Sequence, residues 1–295
     1  MYFISFMSRI TKIKNNSCHT LKIIGTPIGN SMDLSPRGIE AFEQADFILC
    51  EDTRVTKKLS QLRNFRIQKL ISFNEFNESR KINSVISKII SGKNVVLSSD
   101  AGMPLVSDPG FKLVNACIEN NIIIDVVPGP SAIITALVSS GLSSANFYYA
   151  GFPSKKKNDR LLKIKKLLNL ESTIIWFESP KRVVVFLEEL LMIFGNRKAV
   201  VARELTKAFQ EILRNDLNSL ITNLKSRDNI KGEFVILLEG FTPLREKVIT
   251  QDIKKKIKTL LEFDTLKSVV NKIANETNIQ KKIIYNEALK IKDFK

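Results

Sequence analysis

Short runs of apolar residues alternate with amphipathic stretches from Leu21 to Gly240. Eight of these runs are candidate strands, and most of them are continuously apolar, which is typical of strands covered on both faces. They are Leu21–Ile24, Phe47–Leu49, Leu70–Phe73, Val95–Leu97, Ile122–Val127, Thr173–Phe177, Ala199–Ala202 and Phe234–Leu238. Stretches between them repeat apolar residues with a helical period. They predict helices over Arg37–Gln44, Thr53–Leu62, Asn77–Ile90 and Pro180–Phe194. The alternation of strands and helices predicts an α/β class with mostly parallel sheets.

Shifts in composition divide the chain into four predicted parts. Residues 1–20 are interpreted as a disordered or loosely attached extension, because their apolar stretch is too short for a signal peptide core. Residues 21–150 form an N-terminal α/β domain and residues 151–241 a second one, since Gly151-Phe152-Pro153-Ser154 breaks the pattern and a lysine run follows. Three short helical patterns, Ile253–Phe263, Leu266–Asn275 and Ile279–Lys290, predict a helix-turn-helix-like unit over residues 245–295.

The charge balance favours a polyanionic partner. Lys and Arg number 46 against 30 Asp and Glu, a formal net charge of +16. Nucleic acid is favoured over an anionic membrane surface, and no window approaches the roughly 18 apolar residues of a spanning helix. The candidate RNA-binding residues are Lys155, Lys156, Lys157, Arg160, Lys281 and Lys282. A solvated helix face explains the first group equally well, and an ordinary surface appendage explains the C-terminal unit equally well.

Histidine and cysteine usage excludes several kinds of site. His19 is the one histidine and precedes the first predicted strand, so a His-Glu-x-x-His zinc site and a Ser-His-Asp relay inside the folded region are excluded. Cys18, Cys50 and Cys117 are too far apart for a zinc site or a disulfide framework, so we expect no metal and a reducing, cytoplasmic location. Cys50 and Cys117 lie in apolar runs and are interpreted as small core residues.

The loops that follow the predicted strands carry the candidate chemistry. Ligands of open α/β sheets bind beyond the carboxyl ends of the strands. Gly25–Asn30 is a tight turn that lacks both the Gly-x-Gly-x-x-Gly pattern and the end of a P-loop. Ser98–Gly110 and Pro128–Ala132 are rich in Gly and Pro, and together these loops predict one ligand pocket. Glu51–Arg54 adds three ionisable side chains, which a helix-capping carboxylate and a local Asp–Arg pair also explain.

In this order the loops resemble the tetrapyrrole methylase family. The matching stretches are Gly25–Asn30 with Asp33, Glu51–Arg54, Asp100–Gly110 and Pro128–Ala132. Others resemble the subgroup that methylates the ribose 2′-oxygen of a cytidine in small-subunit (16S) rRNA: Asn74, Asn77-Glu78, Gly151-Phe152, Glu178–Arg182, Arg203–Lys207 with Glu211, and Gly232–Val235. The resemblance covers about residues 21–240, and Asn74-Glu75-Phe76 stands where relatives carry a histidine. It implies a two-domain α/β fold with mostly parallel sheets, plus the small C-terminal helical unit.

The resemblance also implies a cofactor, S-adenosylmethionine, held between the two α/β domains. The implied lining residues are Pro27, Gly29, Asp100, Ala101, Gly102, Pro104, Val106, Ser107, Pro128, Gly129, Pro130 and Ser131. A weakly acidic ribose hydroxyl gains from a base or from a cation that lowers its pKa. The candidates are Glu51, Asp52, Arg54, Lys181, Arg182, Glu204 and Lys207, each set of which is equally well explained as a structural ion-pair network. The implied partners are small-subunit rRNA or the 30S subunit and a second copy of the chain.

Two other functions stay open at this point. A small-molecule methylase acting on a corrin or tetrapyrrole precursor also has an anionic substrate, but such a substrate does not require an added basic helical unit. A non-catalytic RNA-binding factor on the same fold predicts no affinity for S-adenosylmethionine.

Overall fold

The computed structural model describes residues 19–242, 249–277 and 279–293. The chain divides into two compact units, one up to Gly240 and one from Phe241. Cys18 and most of the predicted extension over residues 1–20 lie outside the described residues. No further division is seen within the first unit, so the boundary between residues 150 and 151 stays a prediction.

The first sheet of the larger unit is wholly parallel. Its strands are β1 Thr20–Ile24, β2 Phe47–Cys50, β3 Lys69–Ser72, β4 Val95–Ser98 and β5 Ile123–Val127. The helices of this part are α1 Pro36–Glu43, α2 Thr53–Arg63, α3 Glu78–Ile90, α4 Phe111–Glu119 and α5 Ala132–Ser140. The strand order is β3-β2-β4-β1-β5, so consecutive strands are joined by crossovers. The predicted α/β class is confirmed.

The second sheet of the same unit is mixed. Its strands are β6 Phe147–Tyr149, β7 Thr173–Glu178, β8 Lys198–Arg203, β9 Glu211–Asp216 and β10 Phe234–Leu238, and its helices are α6 Lys157–Lys165, α7 Val183–Phe194 and α8 Leu217–Lys225. In the order β6-β7-β10-β8-β9 only the β6–β7 pair is parallel, which departs from the predicted parallel pairing. Residues 204–210 join β8 to β9 without a helix, and so short a connection returns the chain antiparallel.

All eight predicted strands are present, and the predicted helices end within three residues of the observed ones. Strands β6 and β9 were not predicted, since both lie at an edge of the second sheet and are only partly buried. A half-exposed strand with Glu211, Arg214 and Asp216 lacks the continuous apolar run that marks a covered strand.

Alternate side chains of the strands enter separate cores. In the first sheet Leu49 packs with Phe73 and Cys117 on one face, whereas Ile48 packs with Phe42 on the other. Cys50 is also buried, so both cysteine predictions are confirmed. One face of the second sheet packs against α5 and Ile28 in a further core, which joins the two sheets.

The C-terminal unit has a core of its own. Its helices are α9 Gln251–Leu260, α10 Leu266–Thr277 and α11 Lys281–Asp293. They bury Ile257, Val269, Ile273 and Ile284 against one another. The three predicted helices of this region are therefore confirmed. Within the described ranges, no helix has the length and apolar character needed to cross a membrane.

Candidate cofactor-binding site

Three strand-end loops of the first sheet meet at one point, as the sequence predicts. Gly25 and Gly129 approach so closely that a Cβ on Gly25 would lie 2.7 Å from the Gly129 Cα. Thr26 and Gly102 exchange two backbone hydrogen bonds of 2.8 and 3.0 Å. The Thr26 hydroxyl donates to the carbonyl of Ser99 at 3.1 Å. Glycine is needed at the first contact because any side chain would separate the loops after β1 and β5.

The loop of residues 99–110 has an unusual backbone. Leu105 and Ser107 have φ of 72° and 69°, a left-handed conformation that costs a non-glycine residue about 1–3 kcal/mol. The loop is secured where α4 begins, because the buried carboxylate of Glu78 accepts from the backbone N–H groups of Gly110 and Lys112 at 3.1 and 3.2 Å. A negative charge at a helix N-terminus is stabilising. The strained loop is therefore held by the structure around it.

A cavity of about 440 Å³ opens beside these loops. Its walls come from strand-end loops of both sheets. The lining residues from the first part are Ile28, Asp100, Ala101, Gly102, Met103, Val106, Ser107, Asp108, Ser131, Ala132 and Ile133. Those from the second part are Phe152, Phe177, Glu178, Ser179, Pro180, Leu205, Gly232, Glu233, Phe234 and Val235. A hydrogen bond of 2.6 Å between the hydroxyls of Ser107 and Tyr149 joins the two parts at the cavity.

Six of the twelve predicted cofactor residues line the cavity, and six do not. The lining ones are Asp100, Ala101, Gly102, Val106, Ser107 and Ser131. Pro27, Gly29, Pro104, Pro128, Gly129 and Pro130 are not among the lining residues. Gly29 packs instead against the loop after β8, where an added Cβ would lie 2.6 Å from the Thr206 Oγ1. We interpret these residues as forming the turns that shape the walls. Sequence alone does not distinguish such turn residues from residues that line the cavity.

The second sheet supplies lining residues that the sequence analysis did not assign. Ser179, Pro180, Gly232 and Glu233 belong to motifs that carried the family resemblance, and that resemblance was the available signal. Phe152 lies in the predicted boundary segment and in the Gly151-Phe152 stretch of the resemblance, but no contact with a ligand was predicted for it.

Carboxylates at the end of the first sheet have perturbed acidity. Burial and the negative charges of Glu51 and Asp100 raise the pKa of Asp108 to about 6. A hydrogen bond from Ser99 opposes this rise. Burial raises the pKa of Asp100, and burial with the charges of Asp100 and Asp52 raises the pKa of Glu51. A cluster that resists ionisation in this way favours a cationic ligand, because a positive charge relieves the mutual repulsion.

Asp52 and Arg54 form the local pair that the sequence left open as an alternative. The Asp52 carboxylate caps α2 by accepting from the Arg54 N–H at 2.9 Å, and the Arg54 Nε donates to it at 3.0 Å. These hydrogen bonds lower the pKa of Asp52 to about 2. The Asp52 N–H in turn donates to Asp100 Oδ1 at 3.0 Å, so the pair supports a lining residue from behind.

Three of the other catalytic candidates, Arg182, Glu204 and Lys207, also form ion pairs. Arg182 contacts the buried Glu178 at 2.7 Å, and Lys207 contacts both Glu204 and Glu233 at 3.0 Å. Lys181 is exposed. None of the seven candidates is among the residues that line the cavity, although Pro180 and Leu205, the sequence neighbours of Lys181 and Glu204, are. Their role in catalysis stays a prediction.

One predicted RNA-binding residue is wrong. Arg160 is buried and makes a two-point salt bridge with Glu189, with both N–O distances 2.7 Å. Its Nη1 also donates to the carbonyls of Ser154 and Lys155 at 2.7 and 3.1 Å. The guanidinium is therefore saturated by the protein and does not reach a phosphate. The remaining candidates are exposed: Lys155, Lys156, Lys157, Lys281 and Lys282.

Comparison with known proteins identifies the family. The model of the tetrapyrrole (corrin/porphyrin) methylases matches residues 20–221. A Thermotoga maritima protein named ribosomal RNA small subunit methyltransferase I is 41% identical over 221 residues, which are 75% of this chain and 98% of the relative. Its namesake from Halalkalibacterium halodurans is 36% identical over 276 residues, 90% of this chain and 93% of that one.

Solved structures agree on the fold. Diphthine synthase superposes with a TM-score of 0.56 at 14% identity and covers 75% of this chain and 90% of its own. The uroporphyrin-III-C-methyltransferase of Thermus thermophilus gives a TM-score of 0.53 at 16% identity, over 74% and 94% of the two chains. The predicted resemblance is confirmed: the chain belongs to the tetrapyrrole methylase family.

Proposed function

We propose that this protein transfers the methyl group of S-adenosylmethionine to the ribose 2′-hydroxyl of a cytidine in small-subunit rRNA. The observation that carries the proposal is the cavity lined by strand-end loops of both sheets, with Asp100 and Asp108 in its wall. It occurs in a chain 35–41% identical to proteins named ribosomal RNA small subunit methyltransferase I. The net charge of +16 fits a nucleic-acid substrate better than a neutral small molecule.

The residues of the cavity fit S-adenosylmethionine. A volume of about 440 Å³ lies in the range of small-molecule sites. Ile28, Ile133 and Val235 form a buried apolar wall suited to a purine. The carboxylates of Asp100 and Asp108 suit the positive sulfonium and amino groups. When bound, this donor supplies a methyl group attached to positively charged sulfur, which is an activated leaving group.

The chain itself contributes orientation and charge. The loop of residues 99–110 is held in a fixed conformation by Thr26 and Glu78, so little backbone ordering is lost when a ligand binds. A fixed wall would hold the acceptor oxygen in line with the methyl carbon and the sulfur. This alignment lowers the activation barrier of a displacement reaction by a large part. The buried apolar side chains would shield the donor from water on one side, and the carboxylates would complement the charge of its sulfonium until the methyl group is transferred.

The proposed partner is small-subunit rRNA, either free or in the 30S subunit. Lys155, Lys156 and Lys157 are exposed on the larger unit, and Lys281 and Lys282 are exposed on the C-terminal unit. Exposed lysines bind phosphates with a steep dependence on salt. The Thermotoga maritima relative is matched over 98% of its length by 221 residues, which favours a role for the C-terminal unit outside the methyl transfer itself.

We also propose that two copies associate. Ile134 and Val138 lie one turn apart on α5, and the Val138 side chain is 73% exposed. Edge strand β5 leaves Ile123 and Val126 exposed as well. Light scattering should give twice the chain mass, and Val138→Asp should halve it. A monomeric wild type at micromolar concentration would contradict this association.

The reaction is tested with purified protein and S-adenosylmethionine labelled in the methyl group. We expect label in 30S subunits or 16S rRNA, recovered as 2′-O-methylcytidine after digestion to nucleosides. A tetrapyrrole precursor is the parallel substrate, and transfer to it alone would select the small-molecule function. Calorimetry with the donor provides the third measurement, since absent binding would leave only a non-catalytic RNA-binding factor.

A further inference from the structure

Phe152 is an exposed aromatic residue at the wall of the cavity. Its side chain is 58% exposed although it lines the site. Its ring meets Phe177 edge-on, with centroids 5.4 Å apart and planes at 62°. Phe177 in turn meets Tyr149 at 5.1 Å, so the three rings form a row. The row supports Phe152 from one side and leaves much of its ring available to a ligand.

The segment that carries Phe152 is held rigidly from beneath. Arg160 donates to the carbonyls of Ser154 and Lys155, and Arg182 donates to the carbonyl of Pro153 at 3.4 Å. Arg160 is itself fixed by Glu189. A buried ion pair adds little net stability, because the desolvation of two charges offsets their attraction. Its effect here is to fix the carbonyls of Ser154 and Lys155, while Arg182 holds the carbonyl of Pro153, so three consecutive carbonyls are restrained.

Three lysines follow directly on the same segment. Lys155, Lys156 and Lys157 are exposed, and Lys156 and Lys157 stand at the start of α6. An exposed aromatic ring followed by cations is the combination that binds single-stranded nucleic acid, with bases stacked on the ring and phosphates paired with the lysines. Sequence-specific RNA recognition relies on unstacked bases placed on aromatic side chains.

We propose that residues 152–157 are the RNA-reading loop of this enzyme. The ring of Phe152 stacks on the base of the nucleotide to be methylated, and Lys155–Lys157 bind the phosphates beside it. Arg160 and Glu189 are positioning residues that hold the loop. The inference rests on the proposed function, since it requires a nucleotide as the methyl acceptor.

The acceptor base fits this position better than the adenine of the donor. The side chains of Ile28, Ile133 and Leu205 are buried, and such an apolar wall suits the donor, which binds within the protein. Phe152 is the more open part of the lining and is continuous with the lysines. An aromatic ring on the open side of the cavity is accessible to a base that belongs to a large RNA.

The test compares Phe152→Ala with Phe152→Tyr, which keeps a ring. With 30S subunits or 16S rRNA as substrate, we expect Phe152→Ala to lower kcat/KM by about 5- to 150-fold, the range for one lost base stack. Phe152→Tyr should stay within about 3-fold of wild type. The affinity for S-adenosylmethionine, measured by calorimetry, should change less than 2-fold in both variants. Phe111→Ala is the matched control, because Phe111 is 66% exposed and does not line the cavity.

Two results would refute the assignment of residues 152–157 to RNA binding. Unchanged kcat/KM in Phe152→Ala is one, and an equal loss of donor affinity is the other, since it would assign the ring to the adenine. Failure of the proposed function is distinguishable, because wild type would then methylate no rRNA. In that case a fluorescent, cytidine-containing RNA oligonucleotide is the probe, and equal binding by wild type and Phe152→Ala would refute the loop.

Discussion

The acidity of Asp108 leads to a measurable dependence on pH. Burial and the charges of Glu51 and Asp100 raise the pKa of Asp108 from 3.8 to about 6, and Tyr149 is the other titratable group that feels its charge. The folded protein therefore holds a proton on Asp108 between about pH 4 and pH 6 that the unfolded chain has lost. The free energy of unfolding falls as pH rises through this window, and the ionised carboxylate destabilises the folded state at pH 7.

The size of the effect follows from the shift. About 2 pKa units at 1.36 kcal/mol each set an upper limit near 3 kcal/mol. Asp108 is only partly buried, so solvent screening reduces this to about 1 kcal/mol. Asp108→Asn should then raise the Tm at pH 7 by about 2–4 °C and have little effect below pH 4. Scanning calorimetry from pH 4 to pH 8 measures the difference, with the exposed Asp228→Asn as control.

Binding of the methyl donor should reverse this cost. A sulfonium beside Asp108 favours the carboxylate, so wild type releases a proton when the donor binds between pH 5 and pH 6. Calorimetry in two buffers of different ionisation enthalpy detects that proton. Asp108→Asn should abolish the release and weaken donor binding at pH 7 by about 5- to 10-fold, the order of 1 kcal/mol. The reasoning fails if the variant is destabilised at pH 7, or if proton release persists unchanged.

Three further perturbations test the framework around the site. Gly129→Ala places a Cβ 2.6 Å from the Gly25 carbonyl oxygen, so the loops must separate. We expect weaker donor binding and a lower Tm, and wild-type values in both would contradict the close approach. Glu189→Gln leaves Arg160 buried and uncompensated, which should lower the free energy of unfolding in urea by about 3–5 kcal/mol. A loss below 1 kcal/mol would mean that the pair is solvated. Deleting residues 245–295 should weaken rRNA binding in a filter assay more than donor binding, whereas equal losses would mean that the unit only stabilises the structure.

The sequence predicts those features that depend on local pattern. A strand covered on both faces is continuously apolar, so Val95–Leu97 and Phe234–Leu238 were predicted with ends correct to within one residue. Edge strand β9 was missed because its half-exposed residues alternate imperfectly. The loops after β1, β4 and β5 were identified because Gly and Pro mark turns irrespective of what surrounds them.

Features that depend on tertiary partners were less predictable. Arg160 stands in a basic run, and composition does not distinguish it from a phosphate-binding residue, so only its pairing with the buried Glu189 of α7 shows that it is internal. Half of the cavity wall comes from the second sheet, and no local pattern tells which residues of Glu178–Arg182 face the ligand. Residues that only shape a loop and residues that line the cavity stand side by side in the same segments, as Pro130 and Ser131 illustrate.

Backbone strain is concentrated at the two sides of the cavity. Among the described residues, six non-glycine positions have positive φ, and two of them are Asn64 and Asn121, a residue type that tolerates this conformation. The other four are Leu105 and Ser107 in the loop after β4, and Glu204 and Thr206 in the loop after β8.

The strained loop after β8 is stabilised by its own side chains. The Thr206 hydroxyl accepts from the Asn30 N–H at 3.1 Å, and Glu204 Oε1 accepts from the Glu233 N–H at 2.9 Å. Each bond connects the loop to another segment of the wall. Strain of about 1–3 kcal/mol per residue persists only where the surroundings impose it, and it is characteristic of sites that are formed before the ligand arrives. The donor therefore meets walls already in place, and its binding energy is retained for aligning the reacting atoms instead of ordering the loops.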